Sequence, residues 1–180
     1  VICTEAVISP GLINSHDHMQ YNALYPWQHD ELYGDRYDWQ SDGDYYDYRE
    51  AWDGIASSEK CEIMKWAELR HLVAGTTAVV GSSDDGGCIN ILMRNLEEGE
   101  DAHGIDDYDI SYSSGRTEYY DEGDAENDQD DLDDGDKACI LDHVAEGVDG
   151  NVSWEIDHMS EIGMAGKGFG YIHATDATLD

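Results

Sequence analysis

Four short apolar runs, set among segments of helical periodicity, do most to limit what this chain can fold into. They are "LINSHDH" (Leu12 to His18), "TTAVVGSS" (Thr76 to Ser83), "KACILDHVAEG" (Lys137 to Gly147) and "GFGYIHAT" (Gly168 to Thr175). Runs this short, apolar and bounded by glycine or polar residues read as buried strands. "YDISYSS" (Tyr108 to Ser114) is a weaker strand signal, and Val1 to Ile8 is β-like up to the turn "SPG". Between the strands, Ser57 and Ser58 offer N-caps and Glu59 suits a first turn. Ile63, Trp66, Leu69 and Val73 then recur at helical spacing until Gly75 stops the helix. A second helix is expected over Cys88 to Glu98, and a third is marked by Val152, Ile156, Met159 and Ile162. Strands alternating with helices are the pattern of an α/β fold with a parallel sheet. Residues 20–56 lack clean periodicity and read as a long loop with short turns.

Histidines end three of the strands: His16 and His18, His143, and His173. In a parallel barrel all strand C-terminal ends meet on one face, where chemistry is built. His16 and His18 are two residues apart, so on a strand both point the same way. Imidazoles fixed like that can hold one divalent ion, with a third ligand from another strand, and His143 is the natural third. Glu146, three residues after His143, is placed to move a proton to or from water. Asp17 lies between the paired histidines and is expected to point away from them.

The charge balance is extreme. Nine Lys and Arg against 42 Asp and Glu give a formal charge of −33. Such a surface repels nucleic-acid phosphates and anionic membranes. It favours cationic partners, metal ions or a high-salt medium, where self-repulsion is screened. A salt-adapted surface and an acidic insertion on an ordinary protein both fit. Residues 118–136 carry eleven acids in nineteen positions and read as a solvated or disordered loop. Their spacing is not that of a calcium loop. Cys3, Cys61, Cys88 and Cys139 show no CxxC and fit either two disulfides or four thiols. No stretch approaches the roughly 18 apolar residues of a membrane span.

These residues resemble the amidohydrolase superfamily, in its cytosine deaminase and chlorohydrolase-like branch. "PGLINSHDH" resembles the family's PGxINxHxH opening, "DHVAEG" its strand-five HxxE, and "YIHAT" its strand-six histidine. "MKWAELRHLVAGTTAVVGS" is similar to the helix and second strand of that branch. The stretch from "DRYDW" to "LMRNLEE" resembles a bacterial subgroup whose members are often exported, which points to the periplasm or exterior rather than the cytoplasm. The resemblance implies a (β/α)8 TIM-type barrel, partial here, with strands one to six visible. Residues 1–10 would end an N-terminal β-sandwich segment, and residues 11–180 would form the barrel, with an acidic insertion near 118–136. It implies that His16, His18 and His143 bind Zn²⁺, or Fe²⁺ or Mn²⁺. Glu146 would shuttle protons, and His173 would orient the attacking water or the tetrahedral intermediate. The reaction would be hydrolysis of C–N bonds in a small-molecule substrate, by a water whose pKa the metal lowers.

The family's last metal ligand, an aspartate ending strand eight, has no counterpart here. Asp176 and Asp180 stand too close to the strand-six motif. The expected chain is therefore an incomplete barrel. The competing expectation is a non-catalytic acidic protein of amidohydrolase ancestry, extracellular or structural, assembling with cations into homo-oligomers. A small-fold zinc deaminase is set aside because HxE followed by PCxxC is missing.

Overall fold

Parallel strand pairing, expected from the alternation of strands and helices, occurs among the described residues in two three-stranded sheets. The computed structural model describes residues 7–80, 88, 91–97, 110–113 and 117–177. In chain order the elements begin with β1 (Leu12–Asn14), a 3₁₀ turn (Met19–Ala23), α1 (Arg36–Ser41), α2 (Gly43–Asp53), α3 (Ser57–Val73), β2 (Thr76–Val79) and β3 (Arg94–Asn95). They continue with β4 (Ile110–Ser113), a second 3₁₀ turn (Thr117–Tyr119), α4 (Glu122–Asp134), β5 (Cys139–Val144), α5 (Trp154–Glu161) and β6 (Phe169–His173). They fall into two units, Val1–Ala23 with Ser57–Asn95, and Leu24–Ala56 with Leu96–Asp180.

The first unit holds the sheet β1-β2-β3, with Leu12 opposite Thr76 and Ala78 opposite Arg94. Helix α3 forms where expected and ends as Gly75 takes φ +92, a left-handed conformation that glycine adopts without a Cβ clash. The apolar stripe that reveals α3 in the sequence is not the face it buries. Trp66 is 54% and Val73 83% exposed, whereas Met64, Ala67 and Glu68 are buried. Glu68 helps explain the choice of face, because its carboxylate accepts the backbone N–H groups of Ile91 (3.2 Å) and Leu92 (2.6 Å). Cys61 on α3 also forms a disulfide with Cys88. With these two anchors in place, the helix expected over residues 88–98 is not formed in its described part. Residues 91–93 bend and Arg94–Asn95 is β3 instead. Of the other cysteines, Cys139 is a free thiol whose pKa burial pushes up, and Cys3 lies outside the described residues.

The second unit holds the sheet β4-β5-β6, paired in parallel from Ile110 with Cys139 to Val144 with His173. Val144, Ala145, Met159, Met164 and Ala125 form its core, flanked by Tyr120, Phe169 and Tyr171. Each fully buried methionine contributes about 1.5–3 kcal/mol.

Two segments expected as loops contain helices. Residues 20–56 contain α1 and α2, each started by an aspartate cap. Asp35 accepts from Tyr37 N (2.8 Å) and Asp38 N (3.1 Å), and Asp42 accepts from Asp44 N (2.8 Å). The acidic tract is likewise mostly helix, as α4. Asp121 and Asp124 form a reciprocal capping box at its start, and Gly135 closes it in the left-handed conformation. Ala125 is buried, and Asp128, Gln129 and Leu132 are half-buried, which together make one helical face. Of the segment expected to end a β-sandwich, residues 1–6 lie outside the described residues, and residues 7–10 are exposed without regular structure.

Candidate functional site

In the second unit, the C-terminal ends of β5 and β6 bring His143, Glu146 and His173 together. Parallel register places Val144 beside His173, so both strands finish at one level. The rings of His143 and His173 have centroids 5.2 Å apart. His173 Nε2 stands 3.7 Å from Glu146 Oε2. His143 is buried, while the Glu146 and His173 side chains are 25% and 31% exposed. Burial pushes the Glu146 carboxyl up to about 7; the Arg36 guanidinium pulls it down, and the Glu155 carboxylate pushes it further up. A carboxyl at that level exchanges protons near neutral pH.

A buried polar network holds the β5 end. Arg36 and Glu155 form an ion pair at 3.0 Å, with side chains 2% and 0% exposed. Arg36 Nη1 donates to the His143 carbonyl (2.9 Å), and Arg36 Nη2 donates to Thr117 Oγ1 (3.1 Å). The Arg36 backbone N–H donates to the Glu146 carbonyl (3.0 Å). Glu155 Oε2 accepts the Ala145 N–H (2.7 Å), and Glu155 Oε1 accepts the Tyr37 hydroxyl (2.7 Å). Gly147 lets the chain pass close by, since a methyl there would lie 2.6 Å from Val152 Cγ2. The strand-end motifs do not reveal this network, although the sequence holds two signals of it. Arg36 is one of only nine basic residues, and Glu155 falls on the same helical face as Val152 and Met159.

In the first unit, the rings of His16 and His18 have centroids 4.8 Å apart and planes at 88°. They are expected side by side on a strand, and the structure places them elsewhere. β1 ends at Asn14, and both histidines lie in the loop that follows. That loop is pinned by Asp17, whose N–H donates to the Val80 carbonyl (2.9 Å). The Asp17 carboxylate lies 2.6 Å from His71 Nε2 on α3 and accepts from Asn22 Nδ2 (3.2 Å). Asp17, expected only to point away from the pair, therefore shapes the loop that presents it.

The imidazoles of His16 and His18 in one unit, and of His143 and His173 in the other, are donors of the kind that transition metals take. A separate carboxylate group, Asp35, Asp38 and Asp149, is occupied with local backbone bonds, including the α1 cap. Among the described residues, no helix is long and apolar enough to cross a membrane. Comparison with protein-family models, with curated proteins and with solved structures finds no match.

Proposed function

We propose that this chain is part of a metal-dependent hydrolase acting on C–N bonds of a small molecule, with amidohydrolase ancestry. The observation that carries the reading is the convergence of His143, Glu146 and His173 at two adjacent parallel strand ends. Strands in sequence order and parallel within each unit support the barrel part of the proposal. His16, His18 and His143 are the proposed ligands of Zn²⁺, Fe²⁺ or Mn²⁺, on the strength of their sequence pattern. When bound, the ion supplies Lewis-acid activation of water. Glu146, held near 7, takes a proton from water and returns it to the leaving nitrogen. His173, within reach of Glu146, orients the reacting group.

The test is metal content by elemental mass spectrometry, together with a screen of cyclic amides and amino-heterocycles. About one transition metal per chain is expected, lost in His16→Ala and His143→Ala. Glu146→Gln should keep the metal and lose turnover. Metal content indifferent to both histidine substitutions would sink the assignment.

A second reading, self-association without catalysis, is favoured by the exposed stripe Trp66, Leu69 and Val73 on α3 and by exposed Leu12 and Ile13 on the edge strand β1. It predicts cation-dependent oligomers. A particle that stays monomeric with and without chelator would exclude it.

A further inference from the structure

We infer that Arg36, Glu155 and Thr117 form a positioning device that fixes the backbone from His143 to Glu146 and so aims both side chains. The inference rests on the reading of those two as site residues. Neither Arg36, Glu155 nor Thr117 is a catalytic residue; each acts through the β5 end.

The hydrogen bonds of this device converge on that short stretch of backbone. Arg36 Nη1 (2.9 Å) and Thr117 Oγ1 (3.2 Å) reach the His143 carbonyl, Glu155 accepts from Ala145 N (2.7 Å), and Arg36 N donates to the Glu146 carbonyl (3.0 Å). Ala145, between the two site residues, has φ +51, a left-handed conformation unfavourable for a residue with a Cβ. Such a conformation persists only when its surroundings over-determine it, and the Glu155 carboxylate on the Ala145 N–H does so. The device is also a poor choice for stability alone. A buried ion pair is often matched or bettered by well-packed apolar side chains of similar volume. Orientation is the property that apolar side chains would not supply.

Thr117 is the most informative member. It is 0% exposed and has one hydroxyl proton for two acceptors, the His143 carbonyl and Glu155 Oε2 (3.1 Å). Removing that hydroxyl leaves the Arg36–Glu155 pair in place and loosens the carbonyl. In metal sites, changes one contact removed from a ligand typically cost about 10–100-fold in affinity.

The experiment titrates Co²⁺ into metal-free protein, following its visible bands, for wild type, Thr117→Val and Thr117→Ser. Histidine ring resonances are recorded on the same metal-free samples. Thr117→Val should stay folded by circular dichroism, bind Co²⁺ about 10-fold more weakly with altered bands, and move the His143 and His173 signals. The signal of His71, which lies on α3 and outside the proposed ligand set, should stay put, and Thr117→Ser should restore wild-type behaviour. Unmoved His143 signals with wild-type affinity in Thr117→Val would overturn the inference, as would a serine variant as impaired as the valine one. If wild type binds no Co²⁺, the metal reading falls and the ring signals alone decide: movement of His143 upholds the device, and none rejects it. Should Thr117→Val not fold, Arg36→Lys, which keeps the charge and loses the fork, is read in the same way.

Discussion

Replacing Arg36 by Met should destabilise the protein by an amount that the local hydrogen bonds allow to be worked out. The substitution keeps the aliphatic stem and removes the guanidinium beside Glu155, whose side chain is 0% exposed. Breaking a buried pair by deleting one partner costs about 3–5 kcal/mol. Glu155 would still accept from Tyr37 Oη (2.7 Å), Thr117 Oγ1 (3.1 Å) and Ala145 N (2.7 Å), which places the cost toward the lower end of that range. A second effect acts in the opposite direction. Arg36 Nε is buried with no hydrogen-bond partner among the described residues, and removing such an orphan recovers about 1 kcal/mol. The net loss is about 2–4 kcal/mol, a large part of the ~5–15 kcal/mol of an ordinary domain. With a urea slope of about 2 kcal/mol/M, the midpoint should fall by about 1–2 M. Arg36→Lys should lose less, because it keeps the charge. Arg36→Met combined with Glu155→Gln should recover part of the loss, because no unpaired charge remains buried. A midpoint for Arg36→Met within experimental error of wild type, with the same slope, would refute the reasoning.

Three further outcomes follow from other parts of the structure. Glu146 has a folded-state pKa of about 7 against an ordinary 4.5, so the folded protein holds this proton more tightly than the unfolded chain. Its contribution to metal-free stability is fully present below about 4.5 and is lost as pH rises through about 7, by at most about 3 kcal/mol. Urea midpoints at about pH 5 and about pH 8 should therefore differ more for wild type than for Glu146→Gln, and equal differences would reject the shift. Opening the Cys61–Cys88 disulfide, which spans 27 residues, should cost about 3–4 kcal/mol by the loop-entropy estimate; a Cys88→Ser variant as stable as the oxidised wild type would contradict it. The acids of α4 include Asp128, raised by burial and then by neighbouring Asp131 and Asp124, so molar NaCl should raise the helical signal and thermal midpoint. A fold equally stable at low and high salt would rule out this repulsion as a significant cost.

What can be read in the sequence depends on the kind of signal each segment carries. β5 and β6 are visible because their apolar runs are continuous and bounded by polar residues and glycine. Helix α3 is visible because it has a serine start, a regular apolar spacing and a glycine stop. Its buried face is not, because that choice belongs to Glu68, a charged residue that satisfies two backbone donors from a distant segment. The same contact hides the fate of residues 91–95, whose apolar spacing looks helical. Helix α4 is obscured for a different reason. Its composition is that of a disordered tract, but Asp121 with Asp124, and Gly135 beyond the end, are explicit cap signals. Local capping outweighs composition there. In the site, the residue types are legible because strand-terminal histidines are rare enough to notice. The residues that hold them are signalled only by a scarce arginine and a helix-face glutamate, and nothing local links them to the site, since Arg36 lies 107 positions from His143.

The backbone itself separates the strand ends of the second unit from the rest of the chain. Among the described residues, Gly75, Gly135, Gly150, Gly163 and Gly168 take positive φ, as expected at helix stops and turns. Of the described residues that carry a Cβ, only Ala145, His173 and Ala174 do so. If these positions served only to turn the chain, glycine would do it at lower energy, by about 1 kcal/mol or more per residue. At position 173 glycine would remove the imidazole that faces His143 and Glu146. The surrounding bonds show how the strain is held. Ala174 N donates to the Val144 carbonyl (2.9 Å), and Asp176 N donates to the Ala145 carbonyl (3.0 Å), so each strained end is fastened to the other. Asp176 in turn accepts from Gly150 N (2.9 Å) and Val152 N (3.1 Å), tying the loop after Glu146 to the same point. Strain kept at both strand ends, and braced by bonds between them, argues that the placement of His143, Glu146 and His173 is what this part of the fold maintains.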